Sequence, residues 1–426
     1  MALPSVLILG GGITGVTCGI VLQILGFRTR IVCQHWLGTA ASTQTGPADP
    51  RFASLYPAAS IIPHTVQIEN ESWHMHCGQT FFDLFADLGL KCVRRQRHFE
   101  VFEAPCSAPD YAQAMSEFEE ILPDALSQRN APRRCDDRQV YGWSFRTLFA
   151  EMPLYRTFLA DLYAQLGGAV LSPLTVTPET LAQFPEDIVL NCSGAWSPSL
   201  FHDPLESRFV KGLLLRVDAG GSMPVHQRTG ELTSYNYHPD ASVYAQADGP
   251  PADVYFYPRH DVCLLGGTRL QSLPLTVDDV GSCDRQPKIT WRGEEYSGET
   301  LQIPAADLPG RTHTVPRPIL ELNAQLVKGL TGVDLRTFPV TAMMGFRHQR
   351  QHVRLEQQAI GSRLVIHNYG HGGAGVTLSW SCAMKAAQML MSLKEISQIS
   401  EEVLAALKNH VAGSIGGCGQ AHRRSV

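Results

Sequence analysis

The chain opens with "SVLILGGGITGVTCGIVLQILGFRTRIVC" (Ser5–Cys33). A short apolar run meets a glycine cluster, a helical pattern continues to about Gly26, and a second apolar run covers Arg28–Cys33. A strand, glycine loop, helix and strand in this order commit the chain to a parallel sheet whose first turn faces a ligand. Gly10-Gly11-Gly12-Ile13-Thr14-Gly15 has the form G-x-G-x-x-G. Gly10 permits the tight turn, Gly12 lets a pyrophosphate lie against the backbone and the helix start, and Gly15 allows close helix–strand packing. A dinucleotide is therefore expected at Gly10, Gly12, Ile13, Thr14 and Gly15. Gln34 stands where an acidic residue usually meets the ribose hydroxyls, and its amide can still bond a hydroxyl. No arginine directly follows that strand, which argues against a ribose phosphate and hence NADP.

A length of 426 residues calls for two domains. With 44% apolar and 18% charged residues the composition is that of a soluble globular protein. A net charge of −5 with no basic block argues against a nucleic-acid partner. The first apolar run is broken by glycines and lacks a basic leader, and no other stretch reads as a membrane span. Eleven cysteines without a C-x-x-C pattern point to reduced thiols in a cytosolic setting. The terminal "RSV" is unlike the S-K-L peroxisomal address, so a cytoplasmic protein is expected.

Along the chain, 34–64 reads as a long loop. Helical spacing recurs at Phe81, Phe82 and Phe85 and at Leu159, Leu162 and Leu166. "DIVLNCSG" reads as a strand with a tight turn, and "DVYFYP" with "DVCLLGG" as a hairpin. Residues 220–249 and 273–316 read as polar, irregular surface insertions. After Ile396 one amphipathic helix is expected, then a glycine-rich end without order. A second glycine cluster, "IHNYGHGGAGVTLSW", reads as a strand followed by a helix that begins in the glycines. Free N–H groups there would meet a flat, electron-rich group over Gly372, Gly373, Gly375, Val376 and Thr377. One flavin dinucleotide accounts for both glycine signals. "WHMHC" (Trp73–Cys77) offers no metal site, because His74 and His76 point to different sides of a helix, and Cys192 reads as a small core residue.

The stretches "VLILGGGITG", "YGWSF", "VLNCSGAW", "KGLLLRVD", "YFYP", "LLGGTR", "GFRHQRQHVRLE" and "IHNYGHGGAGVTLSW" occur in an order that resembles the D-amino-acid oxidase family of FAD enzymes. The resemblance implies an α/β fold in which an FAD-binding Rossmann-like domain (1–64, 154–212 and 341–396) is interleaved with a sheet-based α+β substrate domain (65–153 and 213–340). Residues 397–426 form a C-terminal extension. It implies FAD as cofactor, with Ser42, Thr43 and Val176 among its contacts, and no metal. It makes Arg347 the anchor of a substrate α-carboxylate, a task suited to a planar fork, and Tyr255 the residue that orients the substrate. A second family tyrosine is replaced by Pro251, and Tyr235, Tyr237 or Tyr244 is a candidate substitute. His64 and Arg269 resemble features of D-aspartate oxidase and suggest an acidic substrate.

The implied reaction is hydride transfer from Cα to the flavin. An imino acid forms, and water and oxygen complete the conversion to 2-oxo acid, ammonia and hydrogen peroxide. Partners are then an amino acid or amine and molecular oxygen, with a homodimer left open. A tailoring oxidase of an unusual amine, a dehydrogenase and a flavin-binding protein without turnover are the alternatives.

Overall fold

The computed structural model describes residues 3–38, 51–56, 58–62, 66–134, 138–203, 205, 207–220, 223–240, 243–244, 252–268, 270–271, 290–291, 294–295 and 300–421. The strands are β1 (Ser5–Gly11), β2 (Arg28–Trp36), β3 (Val93–Phe102), β4 (Ser116–Glu120), β5 (Tyr141–Ala150), β6 (Ala169–Leu171), β7 (Ile188–Asn191), β8 (Ser207–Val217), β9 (Thr233–His238), β10 (Val254–Pro258), β11 (Cys263–Gly266) and β12 (Leu270–Gln271). They continue with β13 (Thr290–Trp291), β14 (Glu294–Glu295), β15 (Thr300–Pro304), β16 (Thr312–Pro316), β17 (Val340–Ile360) and β18 (Arg363–His371). The longer helices are α1 (Ile13–Ile24), α2 (Glu71–Asp87), α3 (Met152–Gln165), α4 (Arg317–Thr331), α5 (Ser379–Leu390) and α6 (Ile396–Ala421).

One 14-stranded sheet runs β4-β5-β3-β9-β10-β11-β8-β17-β18-β7-β1-β2-β6, with β12 paired to β8. Its β18-β7-β1-β2-β6 end is parallel. The remainder is antiparallel apart from the β3–β9 pair. In the middle of the parallel end, Val6 to Leu9 are buried, as a strand covered on both faces requires. Helix α1 returns from it against α5 and α3. Trp380 of α5 stacks on Phe81 of α2 at 4.8 Å and donates its indole N–H to Tyr155 of α3 at 2.8 Å. The other half has its own core. Ile319, Leu322, Leu326, Val327 and Leu330 of α4 cluster with Val101, Tyr235, Phe256 and Leu265 of the sheet.

Strand β17 joins the two halves. Val340–Arg350 pairs with β8, and Gln349 and Arg354–Ile360 pair with β18, with a register shift between Gln349 and Arg354 in the second ladder. Three sequence expectations are corrected. Within 220–249 the described residues are not an irregular insertion, because β9 lies inside the sheet between β3 and β10 and Thr233–Tyr237 are buried. In 273–316, β15 and β16 form a hairpin whose Val315 is fully buried. The chain after Ile396 stays helical to Ala421, through its glycines. His74 is buried against Ser381 while His76 is exposed, and Cys192 is a buried free thiol, as the sequence indicated. Among the described residues, no helix is long and apolar enough to cross a membrane.

Candidate active site

The first glycine loop is held by close backbone approach. Gly10 has φ +108°, a region open to glycine. A Cβ there would run into the Cys192 carbonyl at the end of β7, and a Cβ on Gly15 would run into the Gly10 carbonyl. Gly12 caps α1, with Thr14 half-buried in the first turn. The Ile13 N–H donates to Ser54 Oγ at 3.1 Å, and a Cβ on Gly12 would meet the same hydroxyl at 3.0 Å. The helix start therefore borders a small polar space with no side chain of its own in the way, and Ser54 Oγ holds its first N–H. At the end of β2, Gln34 Oε1 accepts from Thr175 Oγ1 at 2.9 Å, and Val176 packs on the cluster of Leu7, Leu9 and Val32. Gln34 and Val176 are thus brought to one edge of the parallel half.

The second glycine cluster is not the first turn of a helix. Strand β18 runs to His371, turns occupy Gly372–Leu378, and α5 starts only at Ser379. Gly372 has φ +53° and donates its N–H to the His348 carbonyl at 3.1 Å. That bond ties the glycine turn to β17. Thr377 is buried and donates to the Ile62 carbonyl at 3.3 Å.

A cavity of about 450 Å³ links these parts. Ile13 and Ser54 border it, as do Gly372, Gly373, Gly375, Val376 and Thr377. Arg347 and Tyr255 line it too. The arginine-rich run is divided by strand alternation. Arg350 is buried and donates to Asp203 at 2.8 Å, and Asp203 also accepts from the Tyr369 hydroxyl at 2.5 Å. Arg354 donates to Tyr369 and Glu356 at 3.0 and 2.7 Å. Arg347 borders the cavity and has no carboxylate partner among the described residues. Its Cδ lies 3.8 Å from where a Cβ on Gly373 would sit, and its Nη1 lies 3.2 Å from the same position on Gly212. Tyr255 lies opposite Gly266 in the β10–β11 ladder. Burial holds four histidines near this centre neutral. His348, His367, His371 and His74 are each lowered to about 4, chiefly by desolvation.

Ser42, Thr43, His64, Pro251 and Arg269 lie outside the described residues. Tyr235, Tyr237 and Tyr244 do not replace the missing family tyrosine. Tyr235 donates to Asn323 Oδ1, Tyr237 to Glu103 and Tyr244 to the Gly267 carbonyl, all within the α4-side core. The cavity holds instead Tyr56, Tyr257 and Asn236, which the sequence reading did not single out. Asn236 could have been found from "TSYNYH", where polar and aromatic residues alternate with the period of a strand.

The sequence model of the DAO family, described as FAD dependent oxidoreductase, matches residues 5–389. The chain belongs to this family. It is an FAD-dependent oxidoreductase, and the glycine cradle, the N–H at α1 and the cavity leading from them to Arg347 fit that cofactor. A D-amino-acid oxidase of Rubrobacter xylanophilus is 27% identical over 394 residues, 90% of this chain and 94% of that protein. Human D-aspartate oxidase is 24% identical over 405 residues, covering 92% and 95%. Among solved structures, the iminodiacetate oxidase of a Chelativorans species superposes with a TM-score of 0.57 at 14% identity, covering 91% of this chain and 95% of that one. Glycine oxidase from Geobacillus kaustophilus gives 0.54 at 15% identity, covering 92% and 96%. These likenesses extend the same fold over nearly the whole chain.

Proposed function

We propose that the protein oxidises the Cα–N bond of amino acids, D-amino acids by preference, to 2-oxo acid and ammonia, with oxygen reduced to hydrogen peroxide. One observation carries this reading. Arg347 is a guanidinium on a cavity wall with no carboxylate of the described chain to neutralise it. A fork of that kind takes a ligand carboxylate by two parallel bonds. The Tyr255 hydroxyl would supply a further contact from β10, three strands away in the same sheet. FAD, which the Gly10–Gly15 loop and the Gly372–Gly375 turn would hold, would supply the acceptor for the hydride from Cα.

The chain itself supplies orientation and a dry, preorganised wall. Arg347 and Tyr255 fix the carboxylate, and the Gly372–Gly375 turn keeps side chains out of the space where the flavin ring would meet the substrate. The amine reacts in its neutral form. No side chain lining the cavity is required as a nucleophile. The D preference is supported by the curated relatives named above. An acidic substrate rested on His64 and Arg269, and no described residue adds to it.

Arg347→Ala tests the reading. The variant should keep its FAD and lose turnover of every amino acid. Truncating one partner of a buried charge pair costs ~2–5 kcal/mol, roughly a 30-fold to several-thousand-fold fall in kcat/KM. Near-normal turnover would remove Arg347 from the site. A wild-type protein that cannot be loaded with FAD would contradict the flavin cradle itself.

A further inference from the structure

One buried residue of the cavity wall carries a polar group that the protein itself does not use. Ser60 lines the cavity and is 5% exposed, and its hydroxyl has no hydrogen-bond partner among the described residues. Three other cavity residues do have partners. The Tyr257 hydroxyl donates to Asn236 at 2.8 Å, Asn236 donates to Glu100 at 2.7 Å, and Thr377 donates to the Ile62 carbonyl at 3.3 Å. A hydroxyl buried without a partner costs stability, so such groups are few and each calls for a cause. The single side-chain torsion of serine, with three staggered wells, lets the hydroxyl turn toward an arriving ligand.

The backbone around Ser60 is fixed. The Ala59 carbonyl accepts from the Ala150 N–H at 2.9 Å, and the Ile61 N–H donates to the Leu148 carbonyl at 2.8 Å. Ser60 stands between these bonds, opposite Phe149 of β5, so its own N–H and C=O turn away from that strand. Thr147 Oγ1 adds a bond to the Ile61 carbonyl at 2.5 Å. Ala59 is held at φ +55°, in the left-handed region that residues other than glycine seldom adopt. Backbone held against its local preference is characteristic of functional sites.

The same stretch of chain is tied to both glycine elements. Ser54 Oγ accepts from the Ile13 N–H at the first glycine loop, and the Ile62 carbonyl accepts from Thr377 beyond the second. A cofactor whose pyrophosphate meets the first loop and whose ring meets the second turn therefore has this stretch beside it. Ser60 is two residues from the Thr377 tie, at the ring's end of the stretch.

We propose that the Ser60 hydroxyl donates a hydrogen bond to the ring of the bound flavin and raises its reduction potential. This rests on FAD as the cofactor and not on the amino-acid reading. The flavin ring carries carbonyl oxygens that accept hydrogen bonds, and it gains negative charge on reduction. A hydrogen bond to a charged acceptor is roughly twice as strong as one to a neutral acceptor. A donor fixed at the ring thus favours the reduced form.

The test uses the full chain and needs no substrate. FAD affinity is measured by titrating FAD into the cofactor-free protein, and the potential of the bound flavin by anaerobic equilibration with a reference dye. Ser60→Ala should shift the two-electron reduction equilibrium about tenfold toward the oxidised flavin, about 30 mV, and bind FAD several-fold more weakly. Its cofactor-free Tm should equal or exceed that of wild type, because the lost hydroxyl leaves no partner behind. Ser60→Thr, which keeps a hydroxyl, should retain the wild-type potential. An unchanged or raised potential in Ser60→Ala overturns the proposal; if KM for amino acids rises at the same time, the hydroxyl serves the substrate instead. A potential equally low in Ser60→Thr overturns it too, since the hydroxyl would not be the cause. So does a lower cofactor-free Tm in Ser60→Ala, which would assign the hydroxyl to the protein's own packing. If Ser60→Ala takes up no FAD, Ser60→Cys decides, with a weak thiol donor in the same place: a potential below that of Ser60→Thr supports the proposal, and an equal or higher one overturns it.

Discussion

Replacing Gly266 with alanine displaces Tyr255 without altering its chemistry. The Tyr255 ring crosses the bare Cα of Gly266, its partner in the β10–β11 ladder. A Cβ built on Gly266 falls 1.9 Å from Tyr255 Cζ and 2.2 Å from both Cε2 and Oη. To recover an ordinary contact of about 3.4 Å, the ring must retreat by about 1.5 Å. Gly266 is not among the glycines with positive φ, so alanine adds no backbone strain there. Overpacking of this kind costs ~1–3 kcal/mol of stability. A misplacement near 1 Å costs about 100-fold in rate, so kcat/KM should fall about 100-fold, or ~2.7 kcal/mol. Tyr255→Phe, which removes one hydrogen bond and leaves the ring in place, should lose less, about tenfold. The assay is flavin reduction under anaerobic conditions, with FAD content and Tm measured on the same samples. A Gly266→Ala protein that is destabilised as expected yet stays within about threefold of wild type in kcat/KM would refute the placement of Tyr255 against the substrate.

Two further perturbations have defined outcomes. Gly12→Val should fold but emerge colourless, because the added side chain occupies the space beside the Ile13 N–H and Ser54 Oγ; a yellow variant with stoichiometric FAD would contradict the pyrophosphate position. Acid should destabilise the protein between about pH 6.5 and 4. The unfolded chain's imidazoles take up protons near 6.5, whereas His74, His348, His367 and His371 resist until about 4, so the unfolded form binds more protons throughout that window. Their contribution is complete above 6.5 and is lost as pH falls through 4, at up to ~1.4 kcal/mol per pH unit for each residue. Tm measured stepwise across the window should fall; a flat or rising Tm would show that these histidines titrate normally.

The parts of the fold legible in the sequence are those where local chemistry leaves one solution. Gly10 and Gly15 can be read because no other residue permits their contacts with Cys192 and with each other. Strand β1 can be read because a strand buried on both faces is apolar throughout. The register of β9 was not legible by composition. Its aromatic residues, Tyr235 and Tyr237, face the α4 core, while Ser234 and Asn236 bond Gln96 and Glu100 on the other face. Averaged over the segment, these cancel into something that looks like a surface loop. Only the two-residue period separates them. The second glycine cluster misled in a different way. Glycine before a helical pattern suggested a cap, but the hydrogen bond from Gly372 to the β17 carbonyl makes it a strand-to-strand tie, and the helix waits until Ser379.

The arginine run "RHQRQHVR" marks where sequence reading needs the tertiary structure. Charge density alone makes it a solvated edge. Strand alternation sends Arg347 and Gln349 to one face and His348 and Arg350 to the other. The register shift after Gln349 then lets Arg354 join Arg350 around Tyr369. Asp203 accounts for Arg350, and Glu356 for Arg354. Arg347 is left facing a cavity in which the anchored anion, Glu100, is shielded behind Asn236. A guanidinium so placed cannot be explained by the folding of its own strand, because each neighbouring charge is matched elsewhere. The proposed function would match it with a ligand that brings its own carboxylate, so the residue that looked most ordinary in the run is the one that proposal assigns to the substrate.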